Sequence, residues 1–151
     1  HLFIQEQISG YSFVGGSLGY IRDGGYEIYK GDYLDFVADE TRSKGAHPQI
    51  NVVIGIEASG PETEGMKTWD TYSENSSEDI SSAPVEVQFG QKVKLIDCGI
   101  CAVTGEAPAN FAVGWPTKDG FVHIYGFVKL KYGSAEKEIV RRYLEKYPST
   151  L

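Results

Sequence analysis

The feature that most constrains the fold is a pair of β-prone segments separated by a short turn in the last third of the chain. Asn110–Trp115 and Phe121–Val128 are rich in aromatic, β-branched and small residues, and the first two of these classes favour extended backbone. Between them, Pro116–Gly120 ends in Asp-Gly, a pair that suits a tight turn. The pattern therefore predicts a β-hairpin.

Similar segments occur earlier in the chain. Tyr11–Ile21 and Tyr26–Ala38 are aromatic-rich and are separated by an Asp-Gly-Gly turn, and Lys30-Gly31-Asp32 interrupts the second of them. Gln49–Ile56 consists mostly of β-branched residues, which predicts a buried strand. Apolar residues also alternate from Val85 to Leu95 on both sides of Gly90-Gln91, which predicts a second hairpin.

One segment has the periodicity of a helix. Residues 135–147 are preceded by Ser134, a residue type that caps helices, and are followed by Pro148, which stops them. The apolar residues of this segment fall on one stripe: Ile139, Val140, Tyr143, Leu144 and Tyr147. We therefore expect a C-terminal helix with one buried side.

These elements predict a mainly β fold. The chain has 151 residues, the commonest size of a single domain, so residues 1–151 are expected to form one. Many short strands without strand-helix alternation predict an antiparallel two-layer β-sandwich or a barrel, with the helix at one end or on one face. The rhythm of Tyr29–Val37 followed by Ile50–Ile54 resembles that of secreted jelly-roll sandwiches, and a secreted or periplasmic location is favoured.

Residues 57–84 differ from the rest of the chain in composition. They are dominated by Ser, Glu, Thr, Asp and Gly, and the large apolar side chains are few: Met66, Trp69, Tyr72 and Ile80. A segment of this kind cannot bury enough apolar surface to order itself alone. We predict a long polar surface excursion that Trp69 anchors.

Charge excludes some classes of partner. The net charge is −7, and the basic residues form no stripe that could follow a phosphate backbone, so no nucleic acid is expected to bind. No apolar run approaches the length of about 18 residues that spans a bilayer, so no membrane insertion is expected. The negative charge could instead speed the association of the chain with a basic protein.

The strongest catalytic motif is Cys98-Gly99-Ile100-Cys101, which has the spacing of thiol oxidoreductases. The residues after Cys101 do not form the helix that stabilises a catalytic thiolate. Buried thiols, a local disulfide and thiol catalysis therefore stay open as alternatives. His47 and His123 lack ligand-like spacing, so no zinc site is predicted.

His1 suggests a second enzymatic alternative. A free N-terminal histidine can chelate copper through its amino group and imidazole, as in copper-dependent polysaccharide monooxygenases. Those enzymes resemble this chain in having a β-sandwich and an N-terminal histidine. A remnant of a purification tag would also explain His1, and no cofactor is predicted.

Aromatic residues near turns supply the main functional hypothesis. The candidate ligand-binding residues are Trp69, Tyr72, Trp115, Tyr26, Tyr29 and Asp119. Rings carried over a rigid sheet can stack on sugars or anchor a protein partner. We therefore expect a non-enzymatic recognition domain for a carbohydrate or a protein surface. The alternatives are an acidic neutralising protein for a basic partner, and a copper or thiol enzyme.

Overall fold

The computed structural model describes residues 2–15, 20–23, 26–35, 49–57, 65–76, 79–102, 109–127 and 132–151. The strands are β1 (Tyr11–Phe13), β2 (Tyr20–Asp23), β3 (Tyr26–Asp35), β4 (Gln49–Glu57), β5 (Val85–Gln88), β6 (Gln91–Ala102), β7 (Ala109–Thr117) and β8 (Gly120–Phe127). The helices are α1 (Gly65–Asn75) and α2 (Ser134–Lys146), and a single 3-10 turn covers Ile80–Ser82.

The described strands pair into one antiparallel sheet. Its order is β1-β3-β4-β8-β7-β6-β5. Strand β2 also pairs with β3, along the same edge as β1 but at the opposite end of β3. The mainly β prediction is confirmed, and so are the two predicted hairpins, which are β5–β6 and β7–β8. The first hairpin turns at Phe89-Gly90, one residue earlier than the predicted Gly90-Gln91.

The central strands are buried on both faces because apolar residues occupy consecutive positions along them. In β4, Ile50, Val52 and Ile54 point to one face and Val53 to the other, and all four are at most 5% exposed. We call the first the α2 face, because Ile139, Val140, Tyr143 and Leu144 of α2 pack into its core. The second is the α1 face, where Trp69 of α1 packs.

Helix α2 confirms the predicted C-terminal helix. Its first residue is Ser134, and the cap is Gly133, whose N–H donates to Oε2 of Glu136 at 3.0 Å. Ser134 is exposed and lies within the first turn, so it is not the cap. The carboxylate of Glu136 therefore stabilises the positive end of the helix from inside the first turn.

The N-terminal segment is attached to α2 through tyrosine hydroxyls. The N–H of Ile4 donates to the hydroxyl of Tyr143 at 2.9 Å, and the hydroxyl of Tyr33 donates to the carbonyl of Ile4. The hydroxyl of Tyr147 donates to the carbonyl of Leu2 at 2.6 Å. These bonds connect the N-terminal segment, β3 and α2 on the α2 face.

Helix α1 lies within the polar segment 57–84, where no helix was predicted. Trp69 inserts its ring against Gly114 of β7, so closely that a Cβ on Gly114 would lie 2.6 Å from the ring. Ile80 is also fully buried. The sequence did not reveal this helix because few apolar side chains hold it, and the sheet supplies the rest of its contacts.

Several sequence hypotheses concern side chains outside the described part of the chain. These are His1 as a copper ligand, His47 as a zinc ligand, and the thiols of Cys98 and Cys101. The backbone of both cysteines lies in β6, where the pairing with β7 is irregular between Asp97 and Ala102. Neither described helix is long and apolar enough to cross a bilayer.

Candidate functional site

The two tryptophans and Tyr26 belong to the core. Trp115 is 0% exposed on the α2 face, and its indole Nε1–H donates to the carbonyl of Tyr147 at 2.8 Å. Trp69 is 1% exposed on the α1 face, and Tyr26 packs edge-on against Phe121 with ring centres 5.6 Å apart. A stacking platform needs accessible ring faces, which these three residues do not offer. The burial of these three rings therefore argues against their predicted ligand-binding role.

The other three predicted residues are partly or wholly accessible, but they lie apart. Tyr72 stacks on Phe121 at 4.0 Å between ring centres on the α1 face. Tyr29 is half-buried against the α2-face core, and its hydroxyl donates to Glu27 at 3.1 Å. Asp119 is exposed in the turn between β7 and β8. The six residues therefore do not form one surface.

A buried histidine lies beneath Tyr72. His123 is 0% exposed, and its Nδ1 is hydrogen-bonded to the hydroxyl of Tyr72. Burial lowers the pKa of His123 to about 3, because the cationic form would lose its hydration. The imidazole is therefore neutral at physiological pH, and it contributes packing and the hydrogen bond to Tyr72 on the α1 face.

A row of polar residues crosses the α1 face beside His123. In the strand register, Asp32 lies opposite Asn51, and Asn51 lies opposite Tyr125. The ammonium of Lys30 lies 5.9 Å from the centre of the Tyr125 ring. Within the described part of the chain, Oδ1 of Asp32 is buried without a hydrogen-bond partner. Asp32 and Asn51 are 6% and 9% exposed, whereas Lys30 and Tyr125 are half-buried.

The exposed apolar side chains are concentrated on the β5–β6 hairpin. Across the described residues, the large hydrophobic side chains that are exposed are Val14 (41%), Val85 (53%), Val87 (66%) and Phe89 (49%). We call Val85, Val87 and Phe89 the hairpin patch. Val85 and Val87 both point to the α1-face side of the sheet, since they pair with Lys94 and Lys92.

The tip of this hairpin has an unfavourable residue for its backbone conformation. Phe89 has φ 52° and Gly90 has φ 79°, and two-residue type I′ turns require positive φ at both positions. Asn, Asp or Gly normally occupies the first position, because a bulky side chain is strained there. The Phe89 side chain is half exposed and belongs to neither buried core, so burial does not offset this strain.

Strand β5 also ends the described sheet. Its hydrogen-bonded neighbour among the described strands is β6, so its outer backbone edge faces away from the sheet. Edge strands with exposed apolar side chains are surfaces on which another strand can add. The alternation of Val85, Val87 and Phe89 signalled a strand, but the same alternation is typical of buried strands and did not reveal the exposure.

The hairpin patch offers exposed apolar surface for binding. The described residues include no group of three or more His, Cys, Asp or Glu that could hold a metal ion. Comparison of the chain with protein-family models, curated proteins and solved structures finds no match.

Proposed function

We propose that this chain is a recognition domain that binds another protein through the β5–β6 hairpin. The observation that carries the proposal is Phe89, a half-exposed aromatic residue held at positive φ on the tip of an edge hairpin. Aromatic side chains at accessible positions are the usual anchors of protein interfaces. Sugar stacking has less support, because both tryptophans are buried.

The partner chemistry follows from the residues of β5. A strand that adds to this edge would place apolar side chains beside Val85 and Val87, which share one face. Glu86 is exposed between them and points to the opposite face, where a Lys or Arg of the partner would lie. The net charge of −7 repels a second copy and attracts a basic protein. The partner is therefore a basic protein with an extended segment that alternates basic and apolar residues.

Phe89→Asn gives the sharpest test. Asparagine tolerates positive φ, so the variant is expected to be as stable as the wild type or up to about 1 kcal/mol more stable. Loss of the aromatic anchor is expected to weaken binding by roughly 30-fold, the scale of an interface hot spot. The probes are synthetic peptides of about ten residues that alternate Lys or Arg with Val or Ile, titrated by fluorescence anisotropy.

The matched control is Val14→Asn, which removes an exposed apolar side chain outside the hairpin patch and is expected to leave peptide binding unchanged. Val87→Asn, on the edge strand itself, is expected to weaken binding as Phe89→Asn does. The proposal fails if the wild type binds these peptides no better than peptides in which Asp or Glu replaces Lys and Arg. It also fails if Phe89→Asn binds them as tightly as the wild type does.

A further inference from the structure

A cavity of about 570 Å³ lies at the end of the sheet where β7 turns into β8, and no residue of the hairpin patch lines it. It opens between the end of β4, the turn that joins β7 to β8, and the tail that follows α2. Its volume is within the range of about 300 to 1,000 Å³ that small-molecule sites occupy. The apolar residues that line it are Leu2, Ile54, Ile56, Phe121, Tyr147 and Pro148, of which Phe121 carries its ring on the α1 face.

Hydrogen bonds hold the walls of this cavity in place. The N–H of Thr150 donates to the carbonyl of Pro116 at 2.9 Å, which attaches the tail to β7. The N–H of Glu57 donates to the carbonyl of Asp119 at 2.9 Å, which attaches the end of β4 to the turn. On the third side, Tyr147 donates to Leu2. The cavity is therefore preformed, as small-molecule sites usually are.

The lining retains apolar surface that folding alone has not buried. Leu2, Ile56 and Tyr147 are half-buried although they pack against the α2-face core. Apolar area left in contact with water is unfavourable in proportion to its size, so a ligand that covers these side chains gains their burial. This favours a ligand with an apolar body.

The charged residues of the lining define the other end of the ligand. Lys118, Asp119 and Lys146 are exposed and line the cavity, which leaves one positive charge in excess. The ammonium of Lys146 lies 5.7 Å from the centre of the Tyr147 ring, close to the apolar lining.

We propose that this cavity binds a small amphipathic anion, an alkyl or aryl body that carries one carboxylate or sulfonate group. The body covers the apolar lining formed by Leu2, Ile56 and Tyr147. The anionic group lies at the rim between Lys118 and Lys146. Phe89 does not line this cavity, so a direct contact between its ring and the anion is not part of the proposal.

Isothermal titration with decanoate and with decanol tests both parts of this proposal. The wild type is expected to bind decanoate saturably and more tightly than decanol, because only decanoate interacts with the lysines. Lys118→Gln combined with Lys146→Gln should weaken decanoate binding by roughly fivefold and leave decanol binding unchanged. These side chains are exposed, so the double variant is expected to fold.

The matched control is Lys137→Gln, which removes an exposed lysine that does not line the cavity and should alter decanoate binding less than about twofold. Ile56→Trp places a larger side chain in the cavity and should abolish saturable binding of both probes. Absence of saturable decanoate binding to the wild type would overturn the site, as would its persistence in Ile56→Trp. Equal affinity for decanoate and decanol would overturn the anionic part.

Discussion

Replacement of Trp115 or of Trp69 by alanine is expected to lower the free energy of unfolding by about 3 to 5 kcal/mol, the usual cost of removing a buried aromatic side chain. Each ring is at most 1% exposed, so truncation leaves a cavity as well as losing apolar burial. Trp115→Ala also removes the donor to the carbonyl of Tyr147, at the point where the tail leaves α2. Urea denaturation followed by circular dichroism measures both losses.

Phe89→Ala is the control for this comparison, because it removes an aromatic side chain that is half exposed. Its expected change is within about 0.5 kcal/mol, the usual effect of a surface substitution. If Trp69→Ala and Trp115→Ala unfold at the same urea concentration as Phe89→Ala, the two rings do not contribute to the core. They would then have to be considered again as ligand-binding residues.

Acidification is expected to destabilise the protein through His123. Burial lowers its pKa from 6.5 to about 3 in the folded state, so below 6.5 the unfolded chain takes up a proton that the folded chain excludes. The contribution of His123 to stability is therefore complete above pH 6.5 and is lost as the pH falls towards 3. The slope approaches about 1.4 kcal/mol per pH unit for one proton.

Urea denaturation of the wild type and of His123→Gln between about pH 7 and pH 4 isolates this effect. Glutamine keeps a polar partner for the hydroxyl of Tyr72 but does not titrate. Carboxylates that protonate in the same range affect both proteins, so they cancel in the difference between the two free energies of unfolding. That difference should shrink steadily as the pH falls. A difference that stays constant would mean that His123 does not titrate differently in the folded and unfolded chains.

The sequence and the structure agree where the signal is local. The β7–β8 hairpin was predictable because turn-forming residues separate two β-prone segments, although the turn itself is Lys118-Asp119 and Gly120 already pairs with Thr117. Helix α2 was predictable because its apolar stripe has the helical period and Pro148 ends it. Both signals act over one or two turns of backbone and depend little on the rest of the fold.

The candidate site was less predictable, because the exposure of its side chains depends on the rest of the fold and not on neighbouring residues alone. Alternation along β5 reports that Val85 and Val87 share a face, but it does not report whether anything covers that face. The position of β5 at the end of the sheet leaves these side chains exposed. Phe89 was assigned to a strand, and its positive φ became visible only with the turn in place.

The sequence by itself determined which segments are extended and, to within one residue, where two hairpins turn and where the last helix begins and ends, because turn chemistry and periodicity are properties of neighbouring residues. Only the tertiary structure decided which aromatic rings are buried. Trp69 lies in a polar segment and becomes a core residue because Gly114 leaves room for its ring on a distant strand. Burial depends on residues far apart in the chain, and no local pattern contains that information.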